Sequence, residues 1–264
     1  MVKITIVAAI LFALAAVMTM TGRGGGNFYV LTLVLAGFPM HEAAASGQFI
    51  LFTTALAASL IFHKHRALSA PLALFIGVPA ASMAFAGGFL AHFFAGVTLK
   101  ILFSLLLAVA GMVMLYPVKE RTGRLKKGIG YWHLNAGDEV YVINVWLVVP
   151  ISVATGFCAG MVGVSGGSFL VPLMVLSCGV PMRVAVGTAS AMVAATAFAG
   201  FIGHALQGSF DPSWLVPLAS ATIVGGVLGG RMALKAKPAY LKMLFAVTTL
   251  IAAALMVVNA VVAK

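Results

Sequence analysis

The chain has 264 residues, of which 62% are hydrophobic and 8% charged, with a mean hydropathy of +1.14 and a formal net charge of +11. So little polar surface cannot coat a water-soluble globule of this length, which leaves an all-α integral membrane protein. The positive charge does not imply a nucleic-acid partner: no basic patch with interleaved aromatics exists outside the loops, and the basic residues read as membrane-topology signals.

In chain order, the first apolar run covers residues 4–20, preceded by Lys3. Its position imitates a secretory signal, but it is long for one. The stretch GRGGGN at 22–27 interrupts the pattern, and a short apolar piece follows at 28–36. Long apolar runs then cover 43–62, 71–91 and 99–116, separated by the basic turn His63, Lys64, His65, Arg66. A charged stretch at 117–140 leads to a run at 141–162, a second break, GVSGGS, at 163–168, and a second short piece at 169–178. Runs at 184–203, 214–232 and 241–262 complete the chain. Eight runs approach the roughly 20 residues needed to cross about 30 Å of hydrocarbon. The two short pieces, at about 15 Å of helix each, cover half a bilayer. Cys158 and Cys178 lie inside apolar runs without metal-ligand spacing and read as packing residues, so neither a metal nor another cofactor is expected.

Shifting the sequence by 142 positions brings two halves into register. Gly24 and Gly25 fall on Gly166 and Gly167; Gly37, Pro39 and Met40 fall on Gly179, Pro181 and Met182; Gly87 and Gly88 fall on Gly229 and Gly230; Leu99 and Lys100 fall on Leu241 and Lys242. Glycines and prolines matching at one offset are structurally demanding residues, so shared apolar composition does not explain them. The first run falls on 146–162, in mid-chain, and is therefore read as part of the fold. The expected organisation is a transmembrane repeat over 1–116, a connecting loop over 117–140 and a second repeat over 141–264, together one transport domain. Each repeat holds four long spans and one broken half-helix.

Orientation follows from the sixteen Lys and Arg. If each short piece crosses, five segments per half, one side collects Arg23, Lys64, Arg66, Lys119, Arg121, Arg124, Lys126, Lys127, Arg183, Arg231, Lys235, Lys237 and Lys242, and the other keeps Lys3, Lys100 and Lys264. If the short pieces dip in and return, the split falls to nine against seven. The stronger bias favours five plus five, which inverts the second half relative to the first. It also places 117–140 in the cytoplasm of a multi-pass cell-membrane protein.

A half-length helix leaves its first N–H groups unpaired and its positive dipole end inside the membrane, where discontinuous helices commonly meet an anion. Gly24, Gly25, Gly26 and Asn27 in one break, and Ser165, Gly166, Gly167 and Ser168 in the other, are expected to form two facing donor cradles for a small anionic substrate. The alternative is a pair of plain kinks. Ser46 and Gln48, with their repeat equivalents Thr188 and Ser190, stand at the heads of the next long spans as substrate contacts or interhelical glue. Their two-residue spacing turns at least one of each pair towards its own backbone. Arg23 and Arg183 read either as cytoplasmic boundary residues or as anion clamps. His41, Glu42 and His204 are candidate charge or proton-relay groups, with wetted loop positions as the alternative.

The pattern GVSGGSFLVPLMVLSCGVPMRVAVGTASAMV at 163–193, followed by His204, Gly208 and GGVLGG at 225–230, resembles the TauE/SafE family of sulfite exporters and toluene-sulfonate uptake permeases. The first half departs from it, with Val30 where Pro172 stands and Ser46, Gly47, Gln48 where Thr188, Ala189, Ser190 stand. The resemblance implies transport of sulfite or an organosulfonate, in either direction. A passive anion channel with the same cradles is the first alternative. An intramembrane serine hydrolase built on Ser165 and His204 is a weaker one, since their repeat equivalents are Arg23 and Phe62 and no third residue orients the histidine. No catalytic residue is therefore assigned, and the expected partners are the anion, the lipid bilayer and, compatibly with the sequence, a further copy of the chain.

Overall fold

The computed structural model describes residues 2–93, 105, 108–109, 111–112, 115, 130–136, 139–206 and 214–262. Most of the expected span 99–116, the loop 117–129 and Asp211 lie outside them. Apolar backbone in lipid must satisfy its own polar groups, and the described residues do so almost wholly as helices. These are α1 (Val2–Thr19), α2 (Gly26–Leu35), α3 (Met40–Lys64), α4 (Ala70–Leu90), α5 (Val145–Val162), α6 (Gly167–Pro172), α7 (Met182–Ala205), α8 (Leu215–Lys235) and α9 (Pro238–Val262). Six of them, α3, α4, α5, α7, α8 and α9, are long and apolar enough to cross a membrane. α2 has 10 residues, and α6 continues through a π-turn at Leu173–Ser177. Pro172 explains that widening: it has no N–H to donate, and its ring crowds the carbonyl one turn back. α2 carries Val30 at the matching position and remains a regular helix.

The expected span from 141 begins instead at Val145, because Tyr131–Ala136 (β1) and Glu139–Asn144 (β2) form an antiparallel hairpin. Its alternation is that of a half-buried strand: Tyr141 and Ile143 are buried while Val142 and Asn144 are partly exposed. The hairpin rests on the start of α4, where Trp132 meets Phe75 at 5.0 Å and Tyr141 and Ile143 share a core with Leu72 and Ile76.

Small residues let the long helices approach backbone to backbone, and these contacts reveal their directions. Thr54 and Ala58 of α3 face Gly226 and Gly230 of α8, and Ala16 of α1 faces Gly229. Ala80 and Ala84 of α4 face Gly156 and Gly160 of α5, while Gly77 and Gly88 face Met192 and Gly200 of α7. Helices α1, α3 and α8 therefore run one way. Beyond the tight turn at residues 65–69, helices α4, α5 and α7 run the other. The same 142-residue offset recurs in these contacts: Gly88 meets Gly200, and Gly230 meets Ala58.

One end of the bundle gathers Lys64, Arg66, Arg183, Lys235 and Lys237. The Ser69 amide donates to Thr188 Oγ1 at 3.0 Å, which brings the starts of α4 and α7 together beside Lys64 and Arg66. Arg183 Nη2 donates to the Ala236 carbonyl at 3.3 Å, adding the end of α8 with Lys235 and Lys237. At the opposite end Phe38, just after α2, packs at a tilt on Trp214, just before α8, with ring centres 4.2 Å apart. α2 thus runs from the middle of the bundle to one end, and α6 runs to the other.

Candidate functional site

The two glycine breaks meet. A side chain at Gly26 would lie 2.9 Å from the Ser165 amide nitrogen, and one at Gly167 would lie 2.9 Å from the Gly22 carbonyl oxygen and 3.2 Å from Arg23 Cα. Four glycines in the two breaks, Gly22, Gly24, Gly25 and Gly163, take a left-handed backbone that glycine adopts without strain; Gly25 (φ 96°) stands immediately before α2 and Gly163 (φ 77°) immediately after α5. The walls repeat as well. Val186 of α7 packs on Gly22 and its repeat equivalent Ala44 of α3 packs on Gly163, while Leu51 flanks Gly24 and its equivalent Val193 flanks Gly167; the glycines themselves are one position out of that register.

Backbone donors are left over at this joint. Among the described residues, the amides of Gly24, Gly25, Gly26, Ser165, Gly166 and Ser168 have no hydrogen-bond acceptor, whereas Gly167 donates to Ser165 Oγ at 3.1 Å. At a helix start in water such amides would be hydrated; here they are buried. Ser168 Oγ is also buried without a partner. The head of α3 closes over the second break through Gly47, which packs on Val30 and approaches the Gly163 carbonyl. On either side of it stand Ser46, whose hydroxyl is buried and unpartnered, and Gln48, whose Nε2 donates to the Ala159 carbonyl at 3.2 Å while its Oε1 has no partner.

The remaining residues singled out from sequence have other partners or no described side chain. Thr188 holds the start of α4 through its bond from the Ser69 amide, and Ser190 donates to the Val186 carbonyl at 3.0 Å within its own helix. Arg183 is exposed at the basic end, a boundary position. Glu42 is half-buried in the first turn of α3; His41 belongs to the same turn and Asn27 to the first turn of α2, and the side chains of both lie outside the described residues. His204 is buried, with Nε2 2.9 Å from the Gly160 carbonyl, so it clips α7 to α5. With Ser165 Oγ turned to Gly167 and His204 Nε2 to Gly160, nothing in these contacts joins the two as a nucleophile and its base.

Arg23 corrects its reading as a boundary residue. It is only 2% exposed, and Nη1 donates to Thr248 Oγ1 at 3.1 Å and Thr249 Oγ1 at 2.7 Å, in the middle of α9. Its guanidinium carbon stands 5.3 Å from the centre of the Phe245 ring. The signal that could have found this seat is a pair of hydroxyl residues mid-way along an otherwise apolar helix. A separate cavity of about 370 Å³ lies between α5 and α6, walled mainly by apolar side chains including Ile151, Phe169 and Leu173, and it offers an anion little beyond the hydroxyls of Thr155 and Ser177.

Comparison with known proteins agrees with a membrane transporter. The model of the family described as Sulfite exporter TauE/SafE matches residues 6–256. The chain is 25% identical over 227 residues, 81% of each protein, to the probable membrane transporter protein YunE of Bacillus subtilis (strain 168). No solved structure matches. With six apolar helices long enough to span a bilayer and a family match running through both halves, the chain belongs to the sulfite exporter TauE/SafE family of membrane transporters.

Proposed function

We propose that the protein is a secondary transporter that moves a small sulfur-containing anion, such as sulfite or an organosulfonate, across the cytoplasmic membrane, binding it where the two glycine breaks meet. The observation that carries this reading is the set of buried amides at the joint, contributed by both breaks and lacking acceptors among the described residues. A sulfonate or sulfite group presents three acceptor oxygens and negative charge to such donors, and the positive ends of two short helices favour it further. The opposite directions of α1 and α5, α3 and α7, and α4 and α8 support an inverted repeat as the frame. The basic end of the bundle, which includes the hairpin following 117–129, then faces the cytoplasm.

Close packing favours a carrier over a channel. Gly26 and Gly167 already touch the opposite break, so an anion reaches the joint only when the halves part, which is the motion of alternating access. The test is flux into proteoliposomes from a panel of sulfite, sulfoacetate, taurine, thiosulfate and sulfate. Saturable uptake with counterflow for one of these supports the carrier. Non-saturating flux at channel rates favours the pore, and hydrolysis of a membrane substrate lost in Ser165→Ala would revive the enzyme.

A further inference from the structure

Arg23 is the one Lys or Arg buried among the described residues, and its surroundings are built rather than incidental. Thr248 Oγ1 donates to the Leu244 carbonyl at 2.7 Å and Thr249 Oγ1 to the Phe245 carbonyl at 2.6 Å. Each hydroxyl has a single proton, so these bonds leave oxygen lone pairs for the guanidinium and make both threonines acceptors. They occupy Nη1 alone. Among the described residues, neither Nε nor Nη2 has an acceptor, which leaves the edge of the guanidinium whose parallel N–H groups fit two oxygens of one oxyanion.

The charge itself is not neutralised by this seat, since hydroxyls and an aromatic ring are uncharged. Of the five acidic residues, Glu42 is the one with a described side chain, and it stands in the first turn of α3 without an ion pair to Arg23. A buried charge without a counter-ion is costly, and proteins retain one chiefly where something must be recognised. Arg23 also belongs to the joint by its backbone: its Cα lies against Gly167, next to the unmatched amides of Gly24 and Gly25, while its guanidinium reaches α9. The repeat equivalent is Ser165, so only one half supplies a cation.

We propose that Arg23 is the counter-charge of the transported oxyanion, with Phe245, Thr248 and Thr249 of α9 as the seat that aims it; the assignment rests on the carrier reading above. It adds α9 to the site and makes the ligand an oxyanion that offers two oxygens to one guanidinium edge. The full chain in lipid nanodiscs, titrated calorimetrically with sulfite and separately with sulfoacetate, tests it. Arg23→Lys, which keeps the charge but loses the fork, is expected to weaken binding about 10- to 100-fold, the worth of one charged hydrogen bond or a little more. Arg23→Gln is expected to abolish binding while melting no lower than the parent, because it removes an uncompensated charge. Thr248→Val with Thr249→Val is expected to weaken binding about tenfold, and Lys64→Gln, at the bundle end, to leave it unchanged. If the parent binds and Arg23→Lys and the double threonine variant bind equally well, the Arg23 assignment falls and the carrier reading stands. If Arg23→Gln melts lower and binds as the parent does, Arg23 is structural. If the parent binds neither probe, both readings fall.

Discussion

Thr188 of α7 accepts a hydrogen bond from the Ser69 amide at 3.0 Å, so the start of α4 is held by a residue 119 positions further along the chain. Ser69 directly precedes α4, and its own side chain makes no capping bond. Thr188→Val therefore removes an acceptor from a buried amide and is expected to cost about 1 kcal/mol, read as a lower melting temperature, while Thr188→Ser restores it. Sulfite affinity should not change in either variant. A large loss of affinity in folded Thr188→Val would return this residue to the binding site.

Neighbouring glycines in the second break should respond very differently to the same methyl group. At Gly167 a Cβ would stand 2.9 Å from both the Gly22 carbonyl oxygen and Val193 Cγ2, whereas at Gly166 the nearest atom is 3.6 Å away. Gly167→Ala is expected to destabilise by about 1–3 kcal/mol through overpacking and to lower flux sharply. Gly166→Ala should melt within about 0.5 kcal/mol of the parent, as expected of a substitution that meets only ordinary contacts. Equal melting temperatures for the two would show that the breaks are not in contact.

Ser168 separates stability from binding. Its hydroxyl is buried with no partner, so Ser168→Ala removes an unsatisfied polar group and should leave the melting temperature unchanged or raise it. If the hydroxyl meets the anion, affinity for sulfite should nevertheless fall about tenfold, as expected for one hydrogen bond to a charged group. Unchanged affinity would remove Ser168 from the site.

His204 tests proton coupling. Its Nε2 lies 2.9 Å from the Gly160 carbonyl, a bond that glutamine can replace. His204→Gln is expected to retain the parent's pH profile of transport, and His204→Ala to lower stability by about 1–3 kcal/mol as the Gly160 carbonyl loses a donor. A pH dependence abolished in His204→Gln would make this residue a proton relay.

Much of the architecture was legible because membranes impose simple rules. Apolar runs marked α3, α4, α5, α7, α8 and α9, and the glycine breaks marked where α2 and α6 begin. The hairpin was not legible as strands: Tyr141 to Ile143 reads as the apolar start of a span, and only the pairing of Tyr131 with Asn144 and the packing of Trp132 on Phe75 set it apart. Within the candidate site, residue type told little. Ser168 and Ser190 are both small hydroxyls beside a break or at the head of a span, yet one is unpartnered and the other is bonded to its own helix.

Composition, apolar runs and the glycine breaks by themselves determined a helical membrane protein and marked where its two short helices begin, because burial in hydrocarbon constrains every backbone group in the same way. The tertiary structure decided which polar groups remain unmatched and where the charges go. Arg23 and Arg183 are alike as arginines near a break, but one is drawn inward to a threonine pair more than two hundred residues away, and the other caps a helix at the surface. That difference depends on which helices pack together, a long-range relation that local sequence does not encode.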